Sequence, residues 1–280
     1  MKEPIRSGYA AEYHDLVPEH PLLGKVSLLP WDTQTFGTPV GVYRTATDEL
    51  DQSSRRVLSE RFLSWTVQNE VTLCSCAVPP GSRFWKSFLP ELEFRFVDFG
   101  LSASLNGLQR AKLPRDRTPL RVAETADCEG IGAIAAESFF HGRYHADPHF
   151  PRELADLRYR HWISRALASH SEREKVFVLG ESNSIKGFYH VVIDGDTTDL
   201  RLVAISKEFQ RSGLGFSLCA STLHALQERG VNRVSTSISA GNTGVLNVYS
   251  ALGFMFSRPE AIYHWHNKQT NAAIPIPFAG

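Results

Sequence analysis

The stretch VAISKEFQRSGLGFSL (Val203 to Leu218) sets two glycines on either side of one leucine, after an apolar run and before a helical pattern. At a strand-to-helix junction the first helical turn presents N–H groups without intrahelical acceptors, and the helix dipole adds partial positive charge there. Residues without side chains let a diphosphate settle on those amides without meeting Cβ atoms. Gln210-Arg211-Ser212-Gly213-Leu214-Gly215 has this form, and Arg211 adds a full charge. The same six residues are equally consistent with a tight turn that holds no ligand. Two other phosphate motifs fail. A dinucleotide fingerprint needs a third small residue where Leu218 stands, and an acid where Ser237, Ser239 and Asn242 stand. A Walker A loop needs Gly-Lys-Ser/Thr, and here Phe216 follows Gly215.

A second concentration of reactive side chains is FHGRYHADPHFP, in which His141, His145 and His149 recur at helical spacing. That spacing suits metal ligands on one helix face. Gly142 and Pro148 interrupt any such helix, and no metal is expected. Four cysteines (Cys74, Cys76, Cys128, Cys219) complete no zinc pattern and read as buried free thiols. His264 and His266 alternate with Trp265 on a terminal strand and read as surface residues.

The elements that must position these groups alternate between strand and helix. KVSLLP and PVGVYR read as strands, DQSSRRVLSERFLSWTVQN as an amphipathic helix and VTLCSCAVP as a buried strand. GSRFWKSFL follows as a short helix and EFRFVDFGLSASL as a half-buried strand. NGLQRAKLPRDRTP then breaks the pattern with charge, Gly and Pro, marking a linker over 106–119. The alternation restarts with LRVAE and with DCEGIGAIAAESF, a helix for which Asp127 is the expected N-cap. Pro151 starts another helix, with Tyr159, Trp162, Ile163, Ala166 and Leu167 on one face. Strands KVFVLGE, IKGFYHVVID and LRLVAIS come next. Phe216, Cys219, Ala220, Leu223 and Leu226 then repeat at helical spacing, followed by strand NRVSTSIS, a helix from Asn242 to Leu252 and strand AIYHWH. The expected division is an arm over 1–24, an αβ domain over 25–105, a second domain over 120–268 and a tail over 269–280.

LVAISKEFQRSGLG followed by a helix resembles motif A of the GNAT N-acetyltransferase superfamily, and NTGVLNVYSALGF resembles its motif B. The resemblance covers roughly Leu120 to His266. It implies an α/β GNAT fold, a mixed central sheet with helices on both faces, preceded here by a smaller αβ N-terminal domain that is a partial copy of the same fold. LLPWDTQTFGTPVG, FRFVDFGL and GRYHADPHFP are further similar to the dTDP-fucosamine acetyltransferase family, whose members acetylate the amine of a dTDP-4-amino-4,6-dideoxy sugar.

The resemblance implies acetyl-CoA, or another acyl-CoA, as co-substrate. It places the pyrophosphate on the amides of Arg211, Gly213, Leu214 and Gly215, with Gln210, Ser212 and Phe216 beside them. The pantetheine arm would pair like an added strand with Val203, Ala204 and Ile205, which splay from the neighbouring strand in this fold. Asn242 and Asn247 would hydrogen-bond the arm or cap the helix, and Tyr249 would protonate the departing thiolate. The narrower likeness implies that Arg143, Tyr144, His145, Asp147, His149 and Phe150 meet the acceptor. Trp31, Asp32 and Phe36 either pack the extension onto the catalytic domain or touch the acceptor, and His145, His149, Asp147 and Asp199 are the candidate bases.

Thirty basic residues balance thirty acidic ones, which argues against a nucleic-acid partner. No apolar run is long enough for a transmembrane helix, and MKEPIRSGYAAEYHDLVPEHP has no signal-peptide core, so a cytoplasmic protein without membrane attachment is expected. A homodimer is compatible with this reading. Two alternatives stay open: another amine acceptor (small molecule, antibiotic or peptide) or a longer acyl-CoA, and a non-catalytic acyl-CoA sensor.

Overall fold

The computed structural model describes residues 11–45, 50–115, 117–169 and 171–268; the tail expected over 269–280 and the first ten residues of the expected arm lie outside these. Two compact units divide the chain. One holds the described residues up to Gly100, 143–154 and those from Arg258; the other holds 101–142 and 155–257. The loop around Asp147 and the terminal strand therefore belong with the N-terminal unit, whereas the linear reading puts them in the second domain.

In chain order the N-terminal unit begins β1 (His14–Asp15), β2 (Lys25–Leu28), α1 (Pro30–Phe36), β3 (Val40–Arg44), α2 (Gln52–Gln68), β4 (Leu73–Val78) and α3 (Phe84–Glu91). β5 (Arg95–Asn106) runs from this unit into the other. Helix α1 escapes the sequence reading because its seven residues are too few for periodicity. Its signals are Pro30 at the first turn and Gly37 in the left-handed conformation (φ 69°) after it. Asp51 caps α2, its Oδ1 accepting from the Ser54 N–H at 2.9 Å. The core gathers Tyr43, Phe62, Trp85, Phe88 and Phe94 with Tyr263 and Trp265 of the last strand. That strand alternates, so Ala261, Tyr263 and Trp265 face the core and His264 and His266 turn to the opposite face.

The second unit continues β6 (Arg121–Val122), α4 (Cys128–Ser138), α5 (Arg143–Ala146, within the N-terminal unit), α6 (Arg152–Ala168), β7 (Glu174–Glu181), β8 (Ser184–Asp194), β9 (Thr197–Ile205), α7 (Leu214–Glu228), β10 (Arg233–Ser239), α8 (Thr243–Ala251) and β11 (Met255–Phe256), with β12 (Glu260–His266) closing the N-terminal unit. Strands β6, β7, β8 and β9 pair antiparallel in sequence, and β10 joins β9 in parallel, so the sheet is mixed. One face is covered by Ile131, Ile134 and Ala135 of α4 and Ile163 and Ala166 of α6, packed on Val176, Val178, Phe188, Leu202 and Ala204. Leu218, Cys219, Leu223 and Leu226 of α7, with Tyr249 of α8, cover the other face against Phe177, Leu179, Tyr189, Val191 and Leu200. Helices lie on both faces, as the α/β reading anticipates.

Asp127 occupies the N-cap position of α4 as expected, but its side chain makes no capping hydrogen bond to that helix. Its carboxylate is fully buried and takes a bidentate hydrogen bond from Arg121, at 2.6 and 2.7 Å, and another from the Glu124 N–H at 2.7 Å. These donors, Arg121 first, hold its carboxyl well below the usual carboxylate range. Of the four cysteines, Cys74, Cys76 and Cys219 are buried and Cys128 is half-buried; all are free thiols.

Strand β9 is paired along only part of its length on one side. The β9–β10 ladder runs only through Arg233↔Thr197, Val234↔Thr198 and Ser235↔Asp199, whereas β9 stays registered with β8 as far as Ile205. From Leu200 to Ile205, β9 has therefore parted from β10. Gly187 of β8 lies so close to this segment that a Cβ there would sit 2.7 Å from the Ala204 carbonyl oxygen and 2.6 Å from Ile205 Cδ1. Gly187→Ala should therefore lower stability by about 1–3 kcal/mol in chemical denaturation, as overpacked sites do; an unchanged midpoint would mean the strand end can yield.

Candidate functional site

The parted segment of β9 leads directly into the glycine loop. After Ile205 the chain makes a 3-10 turn (Lys207–Phe209), and α7 begins at Leu214. Arg211 (φ 62°) and Gly213 (φ 85°) are left-handed, and Ser212 between them is not. Alternation of hand turns successive backbone N–H groups to one side, which suits an anion. Ser212 Oγ donates to the Phe209 carbonyl at 2.6 Å, and Gln210 Nε2 donates to the Ile205 carbonyl at 3.2 Å. Gln210 thus ties the loop to the strand end. Arg211, Ser212 and Gly213 are exposed, and a Cβ on Gly213 would meet nothing within 4 Å. Such open space in front of first-turn amides is a cradle that a phosphate group fits.

At the apex of the strand gap, the Thr236 hydroxyl of β10 donates to the Leu200 carbonyl at 2.8 Å. Tyr249 reaches this apex from α8. It is the most buried side chain of that helix, 2% exposed, although its sequence position is one step off the Val245, Val248 and Leu252 stripe. Its ring stacks on Phe254, with centroids 4.6 Å apart. Its hydroxyl contacts the hydroxyl of Tyr189 on β8. Burial first, then the Cys219 thiol, raises the Tyr249 phenol above its usual range, so it is a protonated phenol at neutral pH. Tyr189 and Thr236 act in the opposite direction. Asp199, where the β9–β10 ladder ends, is pushed up to about 6 by burial, against the pull of Arg201, whose Nη2 lies 2.9 Å away.

Asn242 serves as the α8 N-cap, its Oδ1 accepting from the Val245 N–H at 3.2 Å, and Asn247 is exposed. Val203, Ile205, Leu214, Gly215 and Phe216 are half-buried, and Ala204 is buried on the α4 and α6 face.

Side chains of the histidine loop gather in the N-terminal unit. Asp32, 2% exposed, accepts from the Tyr144 hydroxyl at 2.6 Å and from Arg143 at 3.5 Å. Phe36 meets the rings of Tyr144 and Phe150 edge-on, with centroids 5.1 and 4.9 Å apart. Asp32 and Phe36 thus pack against residues of their own unit. Tyr144 and Phe150 are interior rings, while His149 is exposed and contacts Arg95.

Asp147 ties this cluster together. Its Oδ2 accepts from His264 Nδ1 and His266 Nε2, both at 2.7 Å, and its Oδ1 accepts from the His149 N–H at 2.9 Å. The expectation of a surface residue fails for His264, which is 1% exposed, whereas His266 is half-buried. Burial alone would raise the Asp147 carboxyl, but the two histidine hydrogen bonds outweigh it and hold it low. Burial draws His264 down to about 4 against the pull of Asp147, so the ring is neutral. One ligand atom from each of these three residues lies within 4.8 Å of the others, a donor set that a divalent cation takes. A cation on His264 Nδ1 would shift the ring proton to Nε2, which is buried with no acceptor among the described residues. The hydrogen-bonded clamp is the arrangement these protons favour.

Sequence reasoning missed Tyr189, Thr236 and His264 as parts of polar sites. The alternation of GFYHVV does place Tyr189 opposite Phe188, on the α7 and α8 face, which is the signal available.

Comparison with known proteins agrees with the fold. Residues 133–254 match the model of the acetyltransferase (GNAT) family. The spore coat polysaccharide biosynthesis protein SpsD of Bacillus subtilis is 26% identical over 160 residues, 55% of this chain and 54% of that one. The ribosomal protein bS18-alanine N-acetyltransferase of Escherichia coli is 29% identical over 94 residues, 33% of this chain and 64% of that one. The chain thus spans only part of the length of the curated relatives it matches. A GCN5-related N-acetyltransferase structure from Sphaerobacter thermophilus superposes with TM-score 0.63 at 12% identity, over 89% of this chain and 78% of that one. The matched residues and the superposition show a GNAT-like fold.

Gly215 gives a clean test of the cradle. It is helical, and a Cβ there would make only an ordinary 3.7 Å contact with Ile205 Cγ1. Gly215→Ala should leave the melting temperature unchanged or raise it, since Ala is the better helix former by roughly 1 kcal/mol. Calorimetry with acetyl-CoA should show binding weakened about tenfold or more if the diphosphate seats there, because the new methyl would stand among the first-turn amides. Unchanged affinity would place the diphosphate elsewhere.

Proposed function

We propose that this chain is an N-acyltransferase that moves an acetyl group from acetyl-CoA to an amine, with the amino group of a dTDP-4-amino-4,6-dideoxy sugar as acceptor. The observation that carries the reading is the parting of β9 from β10 beyond Asp199, with a glycine-lined first helical turn directly after the free strand end. In this reading the amides of Arg211, Gly213, Leu214 and Gly215 take the pyrophosphate, and the arm of the co-substrate adds to Val203, Ala204 and Ile205 as an extra strand. Gln210, Ser212 and Phe216 shape the cradle, Asn247 hydrogen-bonds the arm, and Asn242 caps α8 beside it.

Acyl transfer then needs a neutral amine and a proton for sulfur. The amine nitrogen attacks the thioester carbon, the carbon–sulfur bond breaks, and Tyr249 gives its proton to the thiolate. A phenol held above its ordinary range stays protonated and ready for this role. Among the candidate bases, Asp147 is held low by its two histidines, while Asp199 near 6 is the better matched to neutral pH. Of the residues the likeness assigns to the acceptor, Arg143, His145 and His149 keep solvent-facing surface, and Tyr144, Asp147 and Phe150 support them from within.

The sugar acceptor is supported by the likeness of the N-terminal segments and by the relative named for polysaccharide biosynthesis. A peptide N-terminus is the second reading, favoured by the relative named for alanine N-acetylation. Turnover with a dTDP-4-amino-4,6-dideoxy sugar against an alanine-initiated peptide separates them. Tyr249→Phe should lower kcat by about 10²-fold or more with acetyl-CoA affinity retained. The acid limb of kcat/KM, expected near pH 6 from Asp199, should vanish in Asp199→Asn. Full activity in Tyr249→Phe would remove it as the acid, and no acetyl-CoA binding would overturn the reading.

A further inference from the structure

The phenol assigned as proton donor is paired, within its own unit, with a second buried phenol. Tyr189 is 1% exposed and sits on β8 opposite Val203, in the strand segment that has lost β10. Its hydroxyl meets the Tyr249 hydroxyl; the neighbouring Thr236 donates its O–H to the Leu200 carbonyl, and its oxygen also lies within hydrogen-bond reach of Tyr249. Two phenols in contact share one hydrogen bond, which can run in either direction. If Tyr249 donates, its proton points at Tyr189 and cannot serve a sulfur at the gap. If Tyr189 donates, the Tyr249 proton is free to turn to the Thr236 oxygen in the resting site and to sulfur once the thioester is bound.

Resting on the acyltransferase reading, we propose that Tyr189 is a positioning residue for Tyr249: its buried O–H, donated to the Tyr249 oxygen, turns the Tyr249 proton toward the thioester sulfur. The same bond steadies the phenolate that remains. As the carbon–sulfur bond breaks, sulfur keeps the electron pair and takes the Tyr249 proton. The Tyr249 oxygen then accepts from Tyr189 and recovers a proton from the one released by the attacking nitrogen, passed through water. Every proton is accounted for, and Tyr189 never leaves its own. A hydrogen bond to the charged form of an acid favours that form, which is how Tyr189 acts on Tyr249 here.

The test needs no acceptor. Free coenzyme A carries the thiol that leaves in the reaction, and its thiolate absorbs in the ultraviolet. The bound thiol is titrated on the full chain, on Tyr249→Phe, on Tyr189→Phe and on the double variant, each first shown to melt cooperatively. A phenol aimed at sulfur stabilises the thiolate, so Tyr249→Phe should raise the bound thiol by about one pH unit, a tenfold change in ionisation. Tyr189→Phe should raise it in the same direction by less, and the double variant should match Tyr249→Phe alone, because Tyr189 acts only through Tyr249. Affinity for coenzyme A at pH 7 should stay within about twofold across the set. A Tyr189→Phe shift that adds in full to that of Tyr249→Phe would mark a merely structural role and overturn the proposal. So would no shift in Tyr189→Phe while Tyr249→Phe shifts. If Tyr249→Phe leaves the thiol unmoved, the proton-donor reading itself fails. Should Tyr189→Phe melt early, Tyr189→Met, which also lacks the hydroxyl, takes its place in the same cycle.

Discussion

A strand that stops pairing with its neighbour while staying in its sheet creates a demand that side chains alone cannot meet. Each backbone N–H and C=O wants a partner, and a half-buried row of them left open invites an added strand. Between Leu200 and Ile205, β9 keeps its β8 ladder and loses β10. Thr236 closes only the apex, through the Leu200 carbonyl. The rest of the site depends on this opening: the loop that leaves Ile205, the helix whose first turn faces outward, and the phenol that arrives at the apex from α8.

The opening persists because its surroundings are stiff. Gly187 lets β8 press against Ala204 and Ile205 more closely than any residue with a Cβ would allow. Apolar layers from α4 and α6 on one face and from α7 and α8 on the other hold the sheet between them. Burial also sets the chemistry. It keeps Tyr249 protonated and raises Asp199 to about 6, the two shifts on which the proposed acid and base roles rest.

In the N-terminal unit two buried carboxylates are likewise held by hydrogen bonds. Asp147 is a buried carboxylate accepting from two rings and one backbone N–H, and Asp32 accepts from Tyr144 and Arg143. Buried polar groups of this kind fix one arrangement, since losing a partner leaves a desolvated atom at a cost of about 1–3 kcal/mol. The loop that carries Asp147 is thereby held to the strand that carries His264 and His266.

How much of this is legible in the sequence depends on the range of the signal. Period and punctuation expose β9, the glycine loop and α7, because alternation, glycines and helical spacing are local. The motif containing Asn242, Tyr249 and Gly253 is legible for the same reason. Partners brought together by the fold are not: Tyr189 meets Tyr249 across 60 positions, and Asp147 meets His264 across 117. A histidine on a terminal strand reads as surface until the opposite face of that strand is known to carry Tyr263 and Trp265 into a core. Asp127 reads as a cap because caps are local, and its bond to Arg121 is a tertiary fact. The most direct measurement is backbone hydrogen exchange with and without acetyl-CoA. An added strand and a seated diphosphate should protect the amides of 200–205 and 211–216 together, leaving β7 unchanged. Binding that protects neither segment would contradict the account.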